Sequence, residues 1–213
     1  MRRVVVDREA PQRDAIDEAA KWIRAGYVIA IPTDTLYGLA ADPFSAAAVA
    51  RVFDVKGRAA GRALPLIAAD VVQIVSRLGR LSGTAARLAD RFWPGPLTLV
   101  LPAARQLARE VSGGTGTVGV RVPADAVARA VCAACGHPVT ATSANLSGEP
   151  AVASPDDVEQ ALGDRVEFML DAGRTPGGAP STIVDVTAAE PRLVRAGAIG
   201  WDEIQAWLHS ARA

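Results

Sequence analysis

A mixed α/β fold, with helices packed on a sheet of parallel and antiparallel strands, is what this sequence predicts. Three observations predict it. Short apolar runs rich in β-branched residues alternate with segments of helical periodicity through most of the 213 residues, the pattern of strands joined by crossover helices. Near the end, strand-like runs at 166–170, 181–186 and 191–195 follow one another without helices between them, which a strictly parallel sheet does not allow. Several strands also end in Thr, Ser, Asn or Arg followed by Gly or Pro. If those ends share one sheet edge, they build a pocket of donors.

The elements follow in order. Residues 4–6 read as an opening strand, and 14–24 as a helix with Ile16, Ala19, Ala20 and Ile23 inward, ended by Gly26. A buried strand at 28–31 stops at Pro32, which cannot donate to a ladder. Thr33, Asp34, Thr35 and Tyr37 then place polar groups at that strand end, and Gly38 permits a bend. Ser45 caps a helix over 46–55, with Val49, Val52 and Phe53 at helical spacing. That helix is expected to deliver Lys56-Gly57-Arg58 into a loop before a second buried strand at 64–69. Helices follow at 71–75 and 84–92, then a stiff turn at 93–96 and a strand at 97–101. A strand at 118–122 carries Arg121; Val118, Val120 and Val122 share one face, so Gly119 and Arg121 share the other. A helix at 125–135, a strand at 139–142, a helix at 155–161 capped by Ser154, and a closing helix at 201–211 complete the chain. No linker, repeat or low-complexity segment interrupts it, so residues 1–213 read as one domain.

Composition narrows the function. Basic and acidic residues balance at 23 each, which argues against a protein held to nucleic acid by a broad basic field. No apolar stretch approaches the length of a membrane span, and the N-terminus lacks the apolar core of a signal peptide. Two cysteines make no disulfide framework. These features predict a cytoplasmic protein with no membrane partner.

Taken singly, the polar motifs are bland. Lys56-x-Arg58 reads as a solvated loop, and Ser143-Ala144-Asn145 as an Asx or Ser/Thr turn. The Gly-rich loop at 112–117 lacks the Gly-Lys-Ser/Thr of a phosphate-binding loop and reads as a mobile hairpin connection. Cys132 and Cys135 end a helix with no second ligand pair, so buried free thiols are expected in place of zinc. Neither His137 nor His209 lies in a nucleophile–base motif. Together, Arg, Lys, Thr, Ser and Asn without a general-base histidine suit reactions of anions, where catalysis is mostly positioning and charge stabilisation.

The motifs also stand in a specific order: P-T-D-T-L-Y-G-L at 32–39, K-G-R at 56–58, W-P-G-P-L-T at 93–98, V-R-V-P at 120–123, T-S-A-N-L-S-G at 142–148, S-T-I-V-D at 181–185 and R-A-G-A-I at 195–199. This set resembles the YrdC-type threonylcarbamoyl-AMP synthases, in the short single-domain form. The resemblance implies a single twisted mixed sheet with a concave, positively charged cleft. It implies synthesis of threonylcarbamoyl-AMP and pyrophosphate from L-threonine, bicarbonate or CO2, and ATP, with Mg2+, for the threonylcarbamoyladenosine modification of tRNA. Partner proteins of tRNA modification would take the product. By position, Lys56 and Arg58 correspond to the catalytic groups, and Lys56, Arg58, Arg62, Thr117, Ser143, Asn145 and Arg195 to the ATP side. Thr33, Thr35, Tyr37, Arg121, Ala141 (by its backbone) and Ser181 correspond to the threonine side. Ala59 and Ala60 depart from a common Pro after K-G-R, and Ala69 stands near where some members carry His. The alternative is a double-stranded RNA or tRNA-binding module using the same face, whose affinity would fall steeply with salt.

Overall fold

The computed structural model describes residues 1–57 and 61–210. Its strands are β1 (Arg2–Val5), β2 (Ile29–Ile31), β3 (Gly38–Ala40), β4 (Leu66–Ile67), β5 (Leu97–Pro102), β6 (Thr117–Arg121), β7 (Val139–Thr140), β8 (Thr142–Ser143), β9 (Phe168–Asp171), β10 (Thr182–Asp185) and β11 (Arg192–Arg195). Its α-helices are α1 (Arg13–Arg24), α2 (Ala46–Lys56), α3 (Val71–Leu78), α4 (Gly83–Phe92), α5 (Ala126–Cys135), α6 (Pro155–Leu162) and α7 (Trp201–Ser210).

The mixed α/β class is as the sequence predicts, but the strands divide between two sheets where one was expected. The first has the order β1-β9-β2-β3-β8 and the second β11-β10-β5-β6-β4-β7. Both mix parallel and antiparallel pairs. The split falls where the sequence shows a single strand at 139–142. Residues 139–140 pair with β4 in one sheet, and 142–143 pair with β3 in the other. Ala141 is the corner, its N–H donating to Pro65 O at 2.8 Å. Thr140, fully buried, knits the corner: its hydroxyl accepts from Ala41 N at 2.9 Å and donates to Leu39 O at 3.2 Å. Strand periodicity is the same on both sides of such a corner, so the pattern alone cannot reveal it.

Alternation of side chains places the layers. In β2, Ile29 and Ile31 pack with α1 and α5, while Ala30 faces the other core with α2. In the second sheet Leu97, Leu99, Leu101, Val118, Val120, Val184 and Val186 face that larger core. The opposite face of these strands presents Thr98, Val100, Gly119, Arg121, Ile183 and Asp185, and it is open. Helix ends follow the expected chemistry: Ser45, Ser82, Asp125 and Ser154 all cap through their side chains. Among the described residues no helix is long and apolar enough to cross a membrane.

Candidate active site

The open face of the second sheet forms the floor of a cleft of about 580 Å³, and the ends of β2, β3 and β8 supply a wall. That volume suits a small-molecule site. Among the described residues no histidine or cysteine lines it.

Across the floor runs a row of polar groups. Arg195, at the end of β11, donates through Nη2 to Ser181 O at 2.7 Å and to Ser181 Oγ at 3.2 Å. Ser181 Oγ lies 2.8 Å from Thr98 Oγ1. The methyl of Thr98 faces Gly119, where an added Cβ would approach it to 3.0 Å. Beyond Gly119 on β6 stands Arg121, only 8% exposed. Its Nη1 donates to Asp34 Oδ1 at 2.6 Å, and Asp34 Oδ2 accepts from Ala124 N at 3.2 Å. Burial, and then the like charge of Arg121, pull the Arg195 guanidinium below its usual range. Beyond Arg195, Gly197 packs against the 180–182 backbone. A Cβ there would lie 2.3 Å from Pro180 O, so only glycine lets the chain after β11 lie against 180–182.

Lys56 is not a solvated loop residue. It closes α2, is 3% exposed, and donates through Nζ to Ser143 O at 2.6 Å, Asn145 O at 2.9 Å and Asn145 Oδ1 at 3.1 Å. Ser147 N in turn donates to Lys56 O at 2.9 Å. The lysine thus holds the Ser143–Asn145 turn, which Asn145 N closes on Ser143 O at 3.0 Å. Gly57 ends the helix in the left-handed region, at φ 61°. Arg58, Ala59 and Ala60 lie outside the described residues. Arg62 is exposed beside the cleft-lining Ala63.

Of the remaining expected residues, Thr33, Thr35, Tyr37, Thr117, Ala141, Ser143 and Ser181 all line the cleft. Asn145 is buried under the turn. Thr33 Oγ1 donates to Leu36 O at 2.6 Å and sits 3.2 Å from Thr35 Oγ1. Tyr37 is 1% exposed, and its hydroxyl is committed elsewhere, donating to Gly173 O at 2.8 Å and accepting from Ala172 N at 3.3 Å. Burial pushes this phenol up to about 12.

Residues 112–117 are the last part of a longer connection from β5 to β6, not a short hairpin loop, and they are pinned. Gly113 has φ +57°, and a Cβ on it would lie 2.8 Å from Ala63 N. Leu64 N donates to Val111 O at 2.9 Å. Thr115 lines the cleft and hydrogen-bonds to Ser112 O at 2.7 Å. Cys132 and Cys135 are buried free thiols, as expected, and burial pushes the Cys135 thiol up to about 12.

Three groups were not among the expected site residues: Thr98 and Asp185, which line the cleft, and Asp34, which holds Arg121. Asp34 stands inside a motif already noted, but its pairing with Arg121 spans 87 positions. The alternation of β5 carried a signal for Thr98, the polar residue between Leu97 and Leu99. Asp185 is held below the usual carboxylate range, first by the Thr187 hydroxyl and then by its N–H.

A two-sheet mixed fold with an open cleft flanked by two arginines defines the class of α/β protein. Comparison narrows it. The profile of the Sua5/YciO/YrdC family, described as telomere recombination, matches residues 21–197. The chain is 39% identical over 198 residues to the threonylcarbamoyl-AMP synthase of Pyrococcus abyssi, covering 93% of this chain and 58% of that protein. It is 39% identical over 175 residues to the threonylcarbamoyl-AMP synthase of Thiobacillus denitrificans, covering 82% of this chain and 92% of that protein. The crystal structure of P. abyssi Sua5 complexed with L-threonine superposes with a TM-score of 0.90 at 37% identity, covering 96% of this chain and 61% of that one. The chain therefore belongs to the Sua5/YciO/YrdC family. It spans less than two thirds of the Pyrococcus protein's length.

Proposed function

We propose that this chain makes threonylcarbamoyl-AMP from L-threonine, bicarbonate or CO2, and ATP, releasing pyrophosphate. The observation that carries the reading is the polar row Arg195–Ser181–Thr98–Arg121 across one cleft floor. Two cations stand at the two ends of a site that holds no histidine or cysteine among the described residues, which suits joining two anionic substrates.

In this reading the threonine amine forms an N–C bond to CO2 and gives up one proton. The resulting carbamate oxygen bonds to the α-phosphorus of ATP, and the bond to the β-phosphate oxygen breaks as pyrophosphate leaves. Arg121 takes the amino-acid carboxylate, with Thr33, Thr35 and Ala141 on its side of the cleft, while Ser181, held by Arg195, stands between the two substrates. Arg58, Arg62, Thr117, Ser143 and Arg195 serve the nucleotide, and Lys56 and Asn145 serve it by shaping the turn that carries Ser143. Tyr37 supports the wall from behind. The described residues contain no group of three or more His, Cys, Asp or Glu able to hold a metal ion. Mg2+ fits here as the chelate of the ATP phosphates, not as a resident ion. The product would pass to the tRNA-modifying partner proteins of a cytoplasmic pathway.

The test is pyrophosphate release from Mg-ATP and bicarbonate, with and without L-threonine. Release only with threonine is expected. Equal release without it would sink the reading.

A further inference from the structure

The sequence offers Asp34 no partner, yet the fold gives it two. One oxygen holds the Arg121 guanidinium at 2.6 Å, and the other accepts the Ala124 N–H at 3.2 Å. Asp34 lies in the connection between β2 and β3 of the first sheet. Arg121 and Ala124 lie at the end of β6, in the second. One carboxylate therefore spans the two sheets at the cleft wall. Both side chains are largely removed from water, at 9% and 12% exposure.

The geometry matters for the arginine. A buried guanidinium without an anion is costly, and a flexible one would turn toward any nearby carbonyl. Asp34 takes only Nη1. Among the described residues no other hydrogen bond of this guanidinium is present, so the Nε–Nη2 edge keeps its two parallel donors. That is the edge a carboxylate grips bidentately. The neighbours Thr33 and Thr35 line the cleft on either side of Asp34 in sequence. The same short segment thus supplies wall hydroxyls and the brace for the arginine.

We infer that Asp34 is a positioning residue for amino-acid recognition: it fixes the Arg121 fork, and with it the spacing of the two sheets, so that one edge of the guanidinium faces the substrate carboxylate. This rests on the proposed synthase reading. Asp34 touches no reacting atom; it acts through Arg121. Asp125 lies close by, paired with Arg8 at 2.8 Å. That second pair gives the segment around Ala124 its own anchor, so the fold does not hang on Asp34 alone.

The experiment uses the whole chain and measures threonine and ATP dependence of pyrophosphate release for wild type, Asp34→Asn, Asp34→Glu, Arg121→Lys and the double variant Asp34→Asn/Arg121→Lys. Misplacing a clamp by about 1 Å costs on the order of 10²-fold. Asp34→Asn should therefore raise the threonine KM by about 10–100-fold, leave the ATP KM within about twofold, and change kcat little. Asp34→Glu should recover part of the loss. The double variant should be no worse than Arg121→Lys, because a brace is useless without its fork. Equal rises in both KM values, or strictly additive losses in the double variant, would overturn the proposal. If Asp34→Asn does not fold, Asp34→Glu decides: a threonine-selective KM rise supports the brace, and wild-type kinetics overturn it. A wild-type protein with no threonine dependence removes the synthase reading itself, and this inference with it.

Discussion

The two arginines of the cleft are held in opposite ways. Arg121 is buried on a central strand, paired with a carboxylate, and braced across two sheets. Arg195 sits on β11, an exposed edge strand, and leans on a serine carbonyl and hydroxyl. Arg121 is thus paired and oriented before any ligand arrives, while among the described residues Arg195 is held by the hydrogen bonds to Ser181. A fixed fork suits a small carboxylate whose placement must be reproducible. A more exposed cation on an edge strand suits a flexible polyanion, which brings its own charge and adapts its geometry. On the proposed reading, the difference would let one cleft take two anions without one site competing for both.

The sharpest way to break this comparison is Arg121→Lys. It keeps the charge but loses the fork and its fit to Asp34. The expected cost is about 10²–10³-fold in kcat/KM for threonine, the scale of one preorganised donor, with the ATP KM little changed. Steady-state kinetics with each substrate varied would show it. A loss on the ATP side alone would reverse the division of the cleft.

Next comes Lys56→Ala. Three acceptors of the Ser143–Asn145 turn lose their donor in a buried place. The expected loss is about 1–3 kcal/mol of stability, read by urea titration, together with lowered activity. Unchanged stability would mean that the turn holds itself. Arg195→Lys should then cost about tenfold on the ATP KM and leave threonine nearly untouched, because a point charge still meets a polyanion.

The smallest effect should come from Tyr37→Phe, which sharpens the contrast between lining the cleft and working in it. Ala172 N and Gly173 O lose their partner, for about 1 kcal/mol, with both KM values preserved. The folded phenol titrates above its ordinary value of 10.0, raised to about 12 by burial. A raised folded pKa gives stability that is complete below pH 10 and is lost as pH rises through about 12. Stability measured by denaturation between those limits should fall less steeply with pH in Tyr37→Phe than in the parent.

Local pattern alone determined a good deal of this molecule. The inward faces of α1 and α2, the caps at Ser45 and Ser154, and the alternation that puts Arg121 with Gly119 are all legible, because propensity, capping and side-chain period act within a few residues. The ordered motifs carried the family on the same footing. Only the tertiary structure decided where the sheet breaks, since residues 139–143 keep one strand pattern through the corner at Ala141. It also decided that Lys56 is a buried strut and not a loop cation, because its partners lie 87 and 89 positions away. The same holds for the Asp34–Arg121 brace and the Thr98–Ser181–Arg195 row, each joining strands far apart in sequence. Whether a charged side chain is solvated or satisfied depends on which distant groups the packed sheets bring to it, and no short-range pattern encodes that distance.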